Sequence, residues 1–266
     1  MVSPRLKPFV RYLALTLLLA SQALSAVAAE ACSARSGKTK TVLLELYTSE
    51  GCSSCPPADR FLATLPNRDR GLDRVVPLAF HVPYWDYIGW KDAFAHPAYA
   101  ERHAWLVARN GRRTVYTPHF FVSGKAVLNW QSGLDQEIAR VTAAPSTASI
   151  ELAGILSGKD AVTLTARVTS SARDAAQNLF LAVTESGIIS AVHAGENQGA
   201  TLGHDHVVRL LLGPFPVSGG ILSTQHEIAL DPGWQRSQLR LAGFLQNADA
   251  GRIHQAVATD RCNLAR

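Results

Sequence analysis

The chain has 266 residues, with 26 Lys and Arg against 21 Asp and Glu, a formal net charge of +5, and four cysteines. Three of the basic residues, Arg5, Lys7 and Arg11, lie in the first 28, and without them the +5 becomes +2. So small a balance, with no basic cluster interleaved with aromatics, excludes a nucleic-acid footprint, while the length suffices for two ordinary domains.

Residues 1–28 read as a secretory signal peptide, with a basic start, an apolar core from Tyr12 to Ala20 and a small-x-small cleavage site at Ala26-Val27-Ala28. The uninterrupted apolar run is well short of the roughly 18 residues that span a bilayer. The expectation is a periplasmic or secreted protein with no stable membrane span after cleavage. Ala29-Glu30-Ala31 lacks the leucine expected before a lipidated cysteine, so Cys32 is not read as an anchor. Export exposes the chain to oxidising conditions, in which all four cysteines can pair.

Past an N-terminal extension at 29–40, Thr41 to Tyr47 reads as a mostly buried strand. A helix follows with Ala58, Phe61, Leu62 and Leu65 on one face, ended by Pro66-Asn67. Val75 to Val82 is a second strand, whose internal Pro77 favours a sheet edge or the strand's beginning. A second helix runs from about Ala98 to Asn110 and stops at Gly111. Phe120 to Val122 and Ala126 to Leu128 flank Ser123-Gly124-Lys125 as a hairpin, and a third helix carries Leu134, Ile138 and Val141. The order over 41–143 is therefore β-α-β-α-β-β-α. Beyond the linker Ala143 to Thr147, short runs alternate with Gly, Ser, Asp and Asn clusters. These runs are Ile150–Leu152, Val162–Ala166, Leu179–Val183, Val207–Leu212, Gln225–Leu230 and Leu239–Phe244. They suggest an antiparallel sandwich or small barrel. The expected division is an α/β domain at 41–144 and a smaller all-β, sandwich-like domain at 148–260.

Chemistry is concentrated in Glu50-Gly51-Cys52-Ser53-Ser54-Cys55-Pro56-Pro57. Cys-x-x-Cys at a strand-to-helix junction lets two sulfurs close and open locally, and a helix N-terminus favours a thiolate. No second Cys-x-x-Cys or His-x-His lies near enough in sequence to complete a zinc site. Two other readings stay open: a permanent structural disulfide in a non-catalytic binding protein, and a copper carrier with His81 or His119 as third ligand. His204-Asp205-His206 is expected to lie on a solvated hairpin edge without a role, and Glu196 and Asn197 to serve turn geometry. Glu45 reads as a half-buried glutamate paired with a neighbour, and Tyr84, Trp85 and Asp86 as packing under a loop. If Cys52 and Cys55 close on each other, Cys32 and Cys262 are left to staple the termini; the alternative is that one of them resolves the active pair.

The β-α-β-α-β-β-α order, the cysteine pair after the first strand and Thr117-Pro118 before the third resemble the thioredoxin core. The strings LYTSEGCSSCPPAD, HVPYWDYIGWKDAF, VYTPHFFVSGK and GENQGATLGHDHVVR resemble one family over nearly all of the chain past the signal. It is the secreted thioredoxin-like family catalogued as domain of unknown function 1223. The resemblance implies a thioredoxin-like domain with a β-rich extension and no established substrate; the expected activity is thiol–disulfide exchange with protein thiols or disulfides or with a small thiol, without a cofactor. The upstream cysteine is expected to meet solvent and the downstream one to be covered by the helix, so Cys52 is the expected attacking or electrophilic sulfur and Cys55 the resolving one; the resemblance adds Pro118 as a cis-proline beside them. Two departures stand out. Gly51 replaces the tryptophan usual in thioredoxins and is expected to open the site. Pro56-Pro57 follow the pair, so the helix is expected to begin near Ser54 or to be distorted.

Overall fold

The computed structural model describes residues 30–65, 71–172 and 176–264; the expected signal peptide and the helix stop at Pro66-Asn67 lie outside them. The chain is mixed α/β and mostly sheet. Its first half runs β1 (Glu30–Arg35), β2 (Val42–Thr48), α1 (Pro56–Thr64), β3 (Val75–His81), α2 (Pro97–Arg109), β4 (His119–Val122), β5 (Lys125–Val127) and α3 (Trp130–Thr142). Nine strands follow: β6 (Ala148–Ser157), β7 (Ala161–Ser170), β8 (Gln177–Glu185), β9 (Ile188–Ala191), β10 (Thr201–His204), β11 (Val207–Pro216), β12 (Ile221–Ala229), β13 (Leu239–Asn247) and β14 (Ile253–Ala258).

β2 is buried along its whole length because both faces of its sheet are covered. Alternation sorts its side chains. Val42, Leu44 and Leu46 pack with Ala58 and Leu62 of α1 and with Leu134, Ile138 and Val141 of α3. Leu43 and Tyr47 face the other way, onto Leu106 and Val107 of α2. The hairpin between β4 and β5 turns at Ser123 (φ 48°) and Gly124 (φ 86°), the doubly positive pattern whose twist suits a two-residue connection.

Strands from both expected domains share one eight-stranded sheet in the order β14-β13-β8-β11-β3-β2-β4-β5. The seam is the parallel pairing of Val207 with Ala79, where the Ala79 N–H donates to the His206 carbonyl at 2.8 Å. β3 is therefore interior, and Pro77 is tolerated for a local reason. Its ring nitrogen faces the same side as the Ala79 amide, but β11 begins only at Val207, so no ladder bond is missing there. A second sheet, β1-β6-β7-β12, packs over the β8–β13 end. Ile150, Leu152 and Leu164 meet Leu181, Val183 and Leu241 in that core. Close approach needs Gly243, where a Cβ would lie 3.2 Å from Leu152 Cδ2. β1, β9, β10 and β14 are strands that the sequence pattern did not reveal. Among the described residues no helix is long and apolar enough to cross a membrane.

The Cys32–Cys262 disulfide ties β1 to the segment after β14 across 230 residues of sequence. Replacing both cysteines by serine should lower stability by up to about 5 kcal/mol on the chain-entropy model. Thermal and denaturant unfolding of the double variant, compared with the parent, measures this.

Candidate functional site

The loop between β2 and α1 carries the Cys52–Cys55 disulfide, with Cα atoms 5.4 Å apart. Cys55 is the N-cap of α1, and Pro56 and Pro57 occupy its first two positions. The helix thus starts at Pro56 rather than near Ser54. First-turn amides have no intrahelical acceptor, so neither proline removes a bond. Cys52 stands outside the helix, in a turn closed by the Cys55 N–H donating to the Cys52 carbonyl at 3.1 Å. The Ser54 hydroxyl lies 3.3 Å from Cys52 Sγ and donates to it. The Thr117–Pro118 bond is cis, and pairing of His119 with Tyr47 brings Pro118 level with the end of β2.

Gly51 does not open the site. A Cβ there would fall 3.0 Å from Trp85 Cβ, because the 3-10 turn Pro83–Ile88 fills that space. The Trp85 indole N–H donates to Thr117 Oγ1 at 2.7 Å, linking this turn to the cis-proline segment. Cys52 and Cys55 are only 1% and 0% exposed, so Cys52 does not meet solvent as expected.

Glu50 anchors the loop. Its N–H donates to Asp92 Oδ2 (2.9 Å), its Oε2 accepts from the Trp90 indole (2.8 Å), and its Oε1 lies 3.0 Å from His204 Nε2. Burial alone would raise this carboxyl, but hydrogen bonds from His204, Ser190 and Trp90 hold it below the ordinary range. His81 Nδ1 lies 2.7 Å from Asp92 Oδ2. Burial disfavours charge on His81, yet Asp92 outweighs it and raises the imidazole, while Asp92 is lowered in return. Asp59 follows Cys55 by one helical turn, accepts from the Thr48 hydroxyl at 3.2 Å, and is raised by burial. Two ring atoms of this cluster, His81 Nε2 and His204 Nδ1, are buried without a hydrogen-bond partner.

The opposite face of β2 carries different chemistry. Glu45 is fully buried rather than half-buried, and it points toward α2, away from α1. It accepts from Arg102 Nε (2.8 Å) and Nη2 (3.1 Å) and from the Tyr47 hydroxyl (3.0 Å). Tyr84, His103 and His119 form a chain, with the Tyr84 hydroxyl 3.1 Å from His103 Nδ1 and His103 Nε2 2.9 Å from His119 Nδ1. Burial pushes His103 down to about 3 and His119 to about 4. His81 and His119 are thus engaged in separate buried networks. Among the described residues no group of three or more His, Cys, Asp or Glu side chains converges to hold a metal.

Three sequence expectations are corrected by the β9–β10 hairpin. His204 and His206 are each 3% exposed and not on a solvated edge, because β11 enters the large sheet directly after them. Asn197 does more than shape a turn: its side-chain amide donates to the carbonyls of Glu50 (2.8 Å) and Cys52 (3.0 Å). The Ser53 N–H donates to Glu196 Oε2 at 2.9 Å. Both residues lie more than 140 positions from the cysteines, and no local pattern signals the contact.

A family model described as protein of unknown function (DUF1223) matches residues 43–246. The chain belongs to the DUF1223 family. Among solved structures, an Agrobacterium tumefaciens protein from a structural genomics consortium aligns with TM-score 0.63 at 22% identity, covering 84% of this chain and 95% of its own. HBP35 of Porphyromonas gingivalis aligns with TM-score 0.67 at 18% identity, covering 86% of this chain and 77% of its own. At these identities the likeness is one of fold. A search of curated proteins finds no match.

Two outcomes are expected. Glu45→Gln leaves the buried Arg102 charge without its counter-charge and should cost about 3–5 kcal/mol in denaturant unfolding. The second concerns pH. His103, His119 and His206, the last pushed to about 4 chiefly by burial, are neutral in the fold. Their unfolded pKa is about 6.5, so their contribution is complete above that pH and declines as pH falls toward about 3–4. The melting temperature should drop across that window, less steeply in His119→Gln.

Proposed function

We propose that this protein is an exported thiol–disulfide oxidoreductase built on a thioredoxin-like core, with Cys52–Cys55 as its redox pair. The observation that carries the reading is a local disulfide between the end of a central strand and the first turn of a helix, level with a cis X–Pro bond. The arrangement β2-α1-β3-α2-β4-β5-α3, with β3 parallel and β4 antiparallel to β2, is the order that thioredoxin-like proteins use. Protein thiols or disulfides are the substrates proposed.

In the oxidising direction, a substrate thiolate attacks Cys52 Sγ, the Cys52–Cys55 bond breaks, and Cys55 leaves as a thiolate that takes a proton. A second substrate thiol then displaces Cys52, so the substrate loses two electrons and the pair gains them. Asp59 is the group proposed to exchange that proton with Cys55, since it lies one helical turn beyond it and burial raises its carboxyl above the ordinary range. Pro118 and Trp85 are proposed to wall the approach to the sulfurs.

One observation favours a second reading, a structural disulfide: both sulfurs belong to residues with almost no exposure. The reduction potential separates the two. Catalytic use predicts exchange with glutathione at neutral pH, abolished in Cys52→Ser and slowed in Asp59→Asn. A potential below about −300 mV without exchange would leave only the structural reading.

A further inference from the structure

Exchange requires a thiolate to approach a sulfur along the S–S axis, yet the pair is covered. The tip of the β9–β10 hairpin, residues 192–200, is hydrogen-bonded onto the cysteine loop. Glu196 accepts from Ser53 N–H, and Asn197 donates to the Glu50 and Cys52 carbonyls. Gly195 lies against the 83–90 segment, where a Cβ would be 3.3 Å from Ile88 Cδ1 and from Trp90 Cβ.

The hairpin is its own two-stranded sheet, and its two ends are held differently. At the base, Ile188 and His204 are buried, and His204 is bonded to Glu50. At the tip, Glu196 and Ser53 are exposed, and Gly195 and Gly199 have positive φ. Solvent-exposed hydrogen bonds at the end of a short hairpin are among the first to open. Asp205 Oδ1 accepts from Gly187 N–H beside the base, and it is the buried His204–Glu50 contact that holds the base.

We propose that residues 192–200 are a cover over the redox pair, held shut by Glu196 and Asn197, and that attack on Cys52 waits on its opening. The inference rests on the exchange reading of Cys52–Cys55 and adds a regulation to it. The Glu196 carboxylate sits on the amide next to Cys52, where negative charge opposes a thiolate. The closed tip therefore favours the disulfide, and the open tip favours the dithiol.

Dithiothreitol serves as the probe. One of its thiolates attacks a sulfur of the pair, the S–S bond breaks, and the departing cysteine sulfur takes a proton. The second thiol of the reagent closes its ring and releases the other cysteine as a thiol, so two electrons pass to the protein. Reduction of the Cys52–Cys55 bond is followed by quenching, alkylation and peptide mass, with Cys32–Cys262 as the internal control for folding. The Glu196→Ala, Asn197→Ala double variant should be reduced about tenfold faster than the parent, given the bonds removed. A rate within about twofold of the parent overturns the cover.

If the double variant loses its fold and both disulfides reduce together, hydrogen exchange on the parent decides. The Ser53, Gly199 and Ala200 amides should then exchange together and well before those of β8 and β13; exchange as slow as β13 overturns the proposal. A variant reduced faster that still fails to exchange with protein disulfides keeps the cover and sinks the oxidoreductase reading. Exchange that proceeds at an unchanged rate sinks the cover alone.

Discussion

One parallel register, Val207 beside Ala79, joins the two halves of the chain, and the geometry of the cysteine loop depends on it. Because β11 enters the sheet there, the hairpin that precedes it is delivered across the C-terminal ends of β2 and β3. His204 then meets the Glu50 carboxylate, and Asn197 meets the backbone of the cysteine turn. A buried carboxylate without such partners would be expensive, so the loop conformation and the seam are energetically coupled. The same register leaves Pro77 just short of the β11 ladder, which is how a proline sits inside a sheet without orphaning an acceptor.

The sheet also separates two buried polar systems, and partner chemistry decides the charge of each. On the α1 side, Asp92 raises the imidazole of His81 despite its burial, and hydrogen bonds and the histidines lower Glu50 and Asp92. On the α2 side, His103 and His119 face each other and Tyr84 with no carboxylate bonded to either ring, so burial keeps them neutral. Arg102 is buried beside them and is neutralised by Glu45. The same residue type is thus shifted toward its charged form on one face and toward the neutral ring on the other. Asp59, the group proposed to exchange a proton with Cys55, lies on the α1 side one helical turn beyond it.

Much of the first half was legible in the sequence because its signals are local. Apolar runs bounded by turn residues placed β2, β3 and the β4–β5 hairpin, and helical spacing placed Leu134, Ile138 and Val141 of α3. Pairing Cys32 with Cys262 followed from the closure of Cys52 on Cys55. Misreadings arose where a neighbour distant in sequence supplies the partner. Gly51 looked like an opening because the space beside it belongs to Trp85; Glu196 and Asn197 looked like turn residues, and His204 like a solvated edge, because their partners lie about 150 positions away. β9 and β10, of four residues each, are too short to carry a period.

By itself the sequence determined the element order from β2 to α3, the placement of a Cys-x-x-Cys pair before a helix, and the strand-rich character of the second half. Each follows from interactions within a few residues, where spacing and side-chain chemistry are sufficient. Tertiary structure alone decided that the two halves share a sheet, that Glu45 faces Arg102 rather than α1, and that a hairpin tip lies over the cysteine turn. Those outcomes depend on strand register and on which face of a sheet a distant helix covers. Both are set by burial summed over the whole molecule.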